Sequence, residues 1–213
     1  MTTALFPAPV VVTSGGDARS DAPLVVLLHG RGADERSILT LVPHLPRHLA
    51  YAAVRAPIAE GGGYAWFANR GIGRPVAASL AATMDWFRTW LDEAAPAGRP
   101  VVLVGFSGGA AFAGGLVLSD PSRYAGAAVL NGTLPFEAGV PVDAGQLDGT
   151  AVLIAHGYAD TVIPRELLDR TWTYLHEESG ARLTSHRDPG GHGLSAGTVG
   201  ALSAWLEGVA VSA

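Results

Sequence analysis

Val101-Val102-Leu103-Val104-Gly105-Phe106-Ser107-Gly108-Gly109 is an apolar run that ends in a G-x-S-x-G pentapeptide. A run that is apolar at every position suits a strand covered on both faces, as in a parallel sheet. The small residues on either side of Ser107 suit a sharp strand-to-helix turn that lifts a hydroxyl into the open. An Ala-rich stretch, 110–118, follows as a short buried helix.

Similar apolar runs lie at Leu24-Val25-Val26-Leu27-Leu28, Ala127-Ala128-Val129-Leu130 and Ala151-Val152-Leu153-Ile154. Weaker strand signals cover 51–54 and 182–186, and Val10-Val11-Val12 reads as an edge strand. Helical patterns alternate with these runs. Pro75 suits the first turn of a helix, and Val76, Leu80, Met84, Phe87 and Leu91 form one apolar stripe behind it. Pro96 and Gly98 end that helix. Pro164 opens another through Leu167, Leu168, Trp172 and Leu175, stopping near Gly180, and Val199, Leu202, Trp205 and Leu206 form the last. Alternation of this kind predicts a doubly wound α/β fold, with its active residues in loops beyond the carboxyl ends of the strands.

The chain has 213 residues, a normal length for one α/β domain, so residues 1–213 are expected to form one. Hydrophobic residues make up 48% and charged residues 15%, which excludes a disordered chain. The net charge of -5 gives no basic face for nucleic acid. With no cysteine, disulfides, thiolate metal sites and a Cys nucleophile are excluded. No H-E-x-x-H or comparable ligand cluster occurs, so neither a metal nor a cofactor is expected. Gly61-Gly62-Gly63 neither follows a β run nor opens a helix, so it is not read as a phosphate loop. No signal-peptide pattern and no membrane-spanning apolar stretch is present, and a cytoplasmic protein is expected.

A serine hydroxyl needs a base, and that base should be oriented by a carboxylate. Of the histidines after Ser107, His176 falls in a polar helical segment and His186 in a strand. His156 precedes the best Asp. His192, in Gly190-Gly191-His192-Gly193 after the last strand, is the expected base. Asp160, after the 151–154 run and before Pro164, is the expected carboxylate, although a turn or cap role would also suit it. The order Ser107, Asp160, His192 is that of α/β-hydrolases. A second match, Gly193-Leu194-Ser195-Ala196-Gly197, has no β run before it and no Asp or His after it, and reads as a helix N-terminus. The backbone N–H of Gly108 is one expected oxyanion donor. The N–H of Arg31, in Leu28-His29-Gly30-Arg31-Gly32, is the other. The Arg31 side chain faces solvent or meets an anionic group, and His29 reads as a structural strand-end residue.

These blocks, with Trp66-Phe67 and His156-Gly157, resemble the phospholipase/carboxylesterase family of small α/β-hydrolases, which includes acyl-protein thioesterases. The resemblance spans residues 24 to about 195. It implies an oxyanion donor in the first block, a substrate cleft lined by Trp66 and Phe67, and a triad of Ser107, Asp160 and His192. As exposed aromatics of a Gly-rich loop, 61–73, Trp66 and Phe67 suit a pocket on their own account. Many members have Gln directly after the nucleophile, where this chain has Gly108. Roughly 20 residues separate the runs at 127–130 and 151–154, too few for a lid domain. The expectation is a serine carboxylesterase for short- to medium-chain small-molecule esters. Thioester or lysophospholipid hydrolysis, and a non-catalytic binding protein of the same fold, are the alternatives. A homodimer fits the apolar composition and the resemblance.

Overall fold

The computed structural model describes residues 6–15 and 22–211. Its strands are β1 (Val11–Gly15), β2 (Leu24–Leu28), β3 (Ala50–Val54), β4 (Ile58–Glu60), β5 (Gly63–Ala65), β6 (Asn69–Gly71), β7 (Arg74–Pro75), β8 (Val101–Phe106), β9 (Gly126–Leu130), β10 (Ala151–Gly157) and β11 (Arg182–Asp188). The α-helices are α1 (Glu35–Leu39), α2 (Ala77–Ala94), α3 (Gly108–Ser119), α4 (Arg165–Thr173) and α5 (Ala196–Val211).

Seven strands form one sheet in the order β1-β3-β2-β8-β9-β10-β11. Only β1 is antiparallel to its neighbour. This is the mostly parallel, doubly wound sheet of the α/β-hydrolase fold. The strands β2, β3, β9 and β10 are buried at every position, and β8 at all but its last. Their side chains alternate between two cores. Val26, Leu28 and Leu103 pack with Leu80, Met84 and Phe87 of α2, Phe112 and Leu116 of α3, and Leu167 and Leu168 of α4. Val25, Leu27, Val102 and Val104 pack with Ile38 of α1 and Leu202, Trp205 and Leu206 of α5. Apolar on every side, α3 is buried from Gly109 to Leu118. It lies against β8 and β9 and under α2.

Two local readings change. The 61–73 segment is two hairpins rather than a loop. Gly61 and Gly62 both have positive φ (59° and 85°) and join β4 to β5, as a two-residue primed turn requires. Pro75 pairs with Asn69 in the second hairpin, and the Val76 N–H donates to the Ala68 carbonyl (2.8 Å). The helix therefore starts two residues after Pro75, at Ala77, instead of holding Pro75 in its first turn. Between β2 and β3 lies α1, opened by a reciprocal cap between Asp34 and Ser37. The path from Asn131 to Thr150 contains turns and no helix or strand.

The turn between β8 and α3 is made by close approach. A Cβ on Gly105 would lie 2.2 Å from the Gly109 carbonyl oxygen, and one on Gly109 would lie 2.1 Å from the Leu28 carbonyl oxygen. Neither neighbour is a side chain that can swing away. Gly109→Ala should therefore cost about 3 kcal/mol, or roughly 6–12 °C in Tm for a chain of this size. A thermal melt checks this. A wild-type Tm would mean that the ends of β2 and β8 yield where close packing says they cannot.

Candidate active site

The strand order reverses between β2 and β8. The chain winds outward from β2 to β3, then returns to place β8 on the other side of β2. A crevice opens beyond the carboxyl ends at such a reversal. The loop after β2 carries Arg31, and the turn after β8 carries Ser107. Asp160 follows β10 and His192 follows β11, so their side chains reach the crevice from the far half of the sheet.

Ser107 has φ 55° and ψ -114°, a region costly for a residue with a Cβ, by about 1–3 kcal/mol. The hydrogen bond from its N–H to the Leu130 carbonyl (2.9 Å) holds it there. Its Oγ lies 2.9 Å from His192 Nε2, and His192 Nδ1 lies 2.8 Å from Asp160 Oδ2. An ionised carboxylate only accepts, so Nδ1 carries the proton and Nε2 is left to accept from the Ser107 hydroxyl. The Asp160 side chain is fully buried. Burial opposes its ionisation. Hydrogen bonds from His192 and from the N–H groups of Ile163 and Val162 outweigh that, holding its carboxyl below the usual range.

Gly108 is the first residue of α3, where an N–H has no acceptor within the helix. A Cβ on Gly108 would stand 3.3 Å from the Arg31 nitrogen, so the two backbone groups lie side by side. His29, wholly buried, fixes the loop that carries Arg31. Its Nε2 accepts from the Ala56 N–H (3.0 Å), and its Nδ1–H donates to the Gly30 carbonyl (2.8 Å). The Arg31 guanidinium is bound to both carboxylate oxygens of Glu60 and donates to the Phe67 carbonyl (3.1 Å). It therefore clamps the β4–β5 hairpin.

Trp66 and Phe67 line a cleft of about 280 Å³ beside Ser107, with Ile72, Ala111, Thr133, Val162 and Ile163. They are not exposed loop aromatics, being 2% and 3% exposed. The Trp66 indole donates to the His29 carbonyl (2.8 Å) and stacks on Phe112 at 4.5 Å. The two hairpins fold their loop down onto the core, so both rings serve as cleft wall and core together. A second depression, about 460 Å³, lies on the other side of Ser107 against Leu41, Phe106 and Leu194.

Two residues at this end of the sheet were not singled out from sequence. Asp188, the last residue of β11, accepts from the Gly190 N–H (2.8 Å), the Ser195 hydroxyl and the Thr198 hydroxyl (3.0 Å). The Ser195 and Gly190 bonds hold its carboxyl below the usual range against the effect of burial. It spans both ends of the loop that carries His192. Ser195 itself accepts from the Thr198 N–H (3.0 Å) and caps α5, away from Ser107. The other residue, Asn131, ends β9 with a positive φ. An Asn-Gly pair after an apolar run was its signal in the sequence. Among the described residues, no group of three or more His, Asp or Glu side chains is placed to hold a metal ion.

A doubly wound sheet with a serine on its elbow and a histidine and aspartate on later strand ends defines an α/β-hydrolase. The Phospholipase/Carboxylesterase family model matches residues 9–208. The chain belongs to that family. It is similar to the Bacillus cereus carboxylesterase (TM-score 0.82, 25% identity, covering 94% of each chain). It is also similar to a carboxylesterase from Mesorhizobium loti (TM-score 0.78, 26% identity, 89% and 90% covered). With MhqD of Bacillus subtilis (strain 168) it shares 27% identity over 177 residues, 81% of this chain and 86% of that one. No helix among the described residues is long and apolar enough to cross a membrane.

The buried histidines give a pH test. Burial pushes His29 and His156 below their ordinary value of 6.5. The unfolded chain takes up protons near pH 6.5 that the folded chain refuses, so their stabilisation is complete above that value and is lost as pH falls. Tm should hold between pH 8 and about 7, then decline towards pH 5. A flat Tm across pH 8 to 5 would mean that both imidazoles protonate in place.

Proposed function

We propose that this chain is a serine carboxylesterase that hydrolyses short- to medium-chain small-molecule esters through an acyl-enzyme on Ser107. One observation carries the reading. The line Ser107 Oγ, His192, Asp160 has spacings of 2.9 and 2.8 Å and opens onto an apolar cleft. His192 Nε2 takes the hydroxyl proton as Ser107 attacks the ester carbonyl. Asp160 steadies the imidazolium that forms. The N–H groups of Arg31 and Gly108 receive the oxyanion, where such donors are worth about 3–4 kcal/mol each in related chemistry. His192 then returns the proton to the departing alcohol. Water, activated by the same imidazole, releases the acid.

The depressions on either side of Ser107 give the two arms of an ester separate places to lie. The small volume of the cleft that holds Trp66 and Phe67 favours short and medium chains over long ones. Thioesters and lysophospholipids would pass through the same steps.

Hydrolysis of p-nitrophenyl esters from acetate to laurate tests the reading. Activity should peak at short or medium chains, and Ser107→Ala should lower kcat by roughly 10⁴-fold or more. A peak at laurate would move the substrate towards lipids or acylated proteins. No turnover of any ester, with Ser107 unlabelled by a fluorophosphonate, would sink the esterase reading.

A further inference from the structure

Asn131 sits where an ordinary residue would be penalised twice. Its φ is +45°, a conformation that Gly and Asn tolerate and most residues do not. Its side chain is wholly buried, and its Oδ1 has no hydrogen-bond partner. An apolar side chain of similar size would avoid that second cost. The residue gains one contact in return. Its Nδ2–H donates to the Gly191 carbonyl (3.1 Å) across 60 residues of sequence. Gly191 is the residue immediately before His192.

The position of Asn131 in the sheet makes that contact informative. The residue before it, Leu130, accepts the Ser107 N–H (2.9 Å). The residue after it, Gly132, is so close to the elbow that a Cβ there would lie 2.8 Å from the Ser107 carbonyl oxygen. The Asn131 N–H donates to the Ala155 carbonyl (2.8 Å) on β10. One tripeptide at the end of β9 thus touches the backbone of Ser107 and, through one amide, the backbone beside His192. Asp188 holds both ends of the histidine loop. The Ala159 N–H holds the Gly190 carbonyl (3.0 Å) and the Phe106 ring lies against His192, and the Asn131 amide adds a tie from the middle of that loop to the end of β9.

We propose that Asn131 is a positioning residue that fixes the His192 imidazole against Ser107 by tethering the Gly191 carbonyl to the end of β9. The proposal rests on the reading of Ser107 and His192 as nucleophile and base. The tether itself is a property of the fold and can be measured without turnover. An error of about 1 Å in such a pair costs up to roughly 100-fold in rate.

Asn131→Gly tests it, because glycine keeps the left-handed backbone and removes only the amide. The expected result is a kcat lowered at least about ten-fold, with KM within about two-fold of wild type. Reaction with a fluorophosphonate should slow in parallel. The downfield proton resonance of His192 Nδ1–H should broaden or vanish, while circular dichroism stays that of the folded protein. Asn131→Ala should match it in kcat and melt lower, since alanine also bears the backbone strain. A wild-type kcat and a sharp Nδ1–H resonance in a folded Asn131→Gly protein would overturn the proposal. So would a kcat loss confined to Asn131→Ala, which would assign the residue to backbone strain alone. If wild type turns over no ester, the esterase reading fails by itself, and the resonance still decides the tether.

Discussion

The carbonyl oxygen of Leu28 would lie 2.1 Å from any Cβ placed on Gly109. That contact brings the end of β2 against the first turn of α3 with no side chain between them. The neighbouring placements follow from it. Gly108 lies beside the Arg31 nitrogen because Gly109 lies on Leu28. The loop after β2 stays down because His29, beside Leu28, is bonded to Ala56 and Gly30. Trp66 reaches across to the His29 carbonyl, so the cleft wall hangs from the same few atoms. A backbone-to-backbone contact of this kind cannot be adjusted by a rotamer change, which makes it a rigid reference for the site.

Much of this could be read in the sequence, because its signals are local. The four fully apolar runs report two-sided burial directly, and all four are central strands. Ser107, Asp160 and His192 could be picked out because each follows a strand, and the chain order narrows the choice. What escaped reading depends on contacts distant in sequence. Pro75 looks like a helix opener until Asn69 pairs with it. Trp66 and Phe67 look like exposed loop aromatics until two short hairpins fold them onto Phe112 and the core. Asn131 and Asp188 matter through hydrogen bonds to a loop whose position no window of sequence gives. The cap at Asp34 and Ser37 was local, and an Asp three residues ahead of a Ser could have announced α1.

The site combines strained and relaxed parts. Ser107 is held at an unfavourable φ by Leu130 and by glycine contacts, while Asp160 sits in a full set of hydrogen bonds. His29 is also relaxed, because burial keeps it neutral and its two nitrogens have one acceptor and one donor to meet. Each part is fixed by backbone groups more than by neighbouring side chains. Side chains lining the cleft can therefore change with little effect on the spacing of the three central residues.

The path from Asn131 to Thr150, made of turns alone, has a kinetic meaning. In hydrolases with a cap, a domain inserted at this point of the chain must swing aside, and that motion can limit the rate. Among the described residues no such domain stands over Ser107. Whatever enters meets walls already in place, about 280 Å³ beside Ser107, before any part of the 131–150 path has to move.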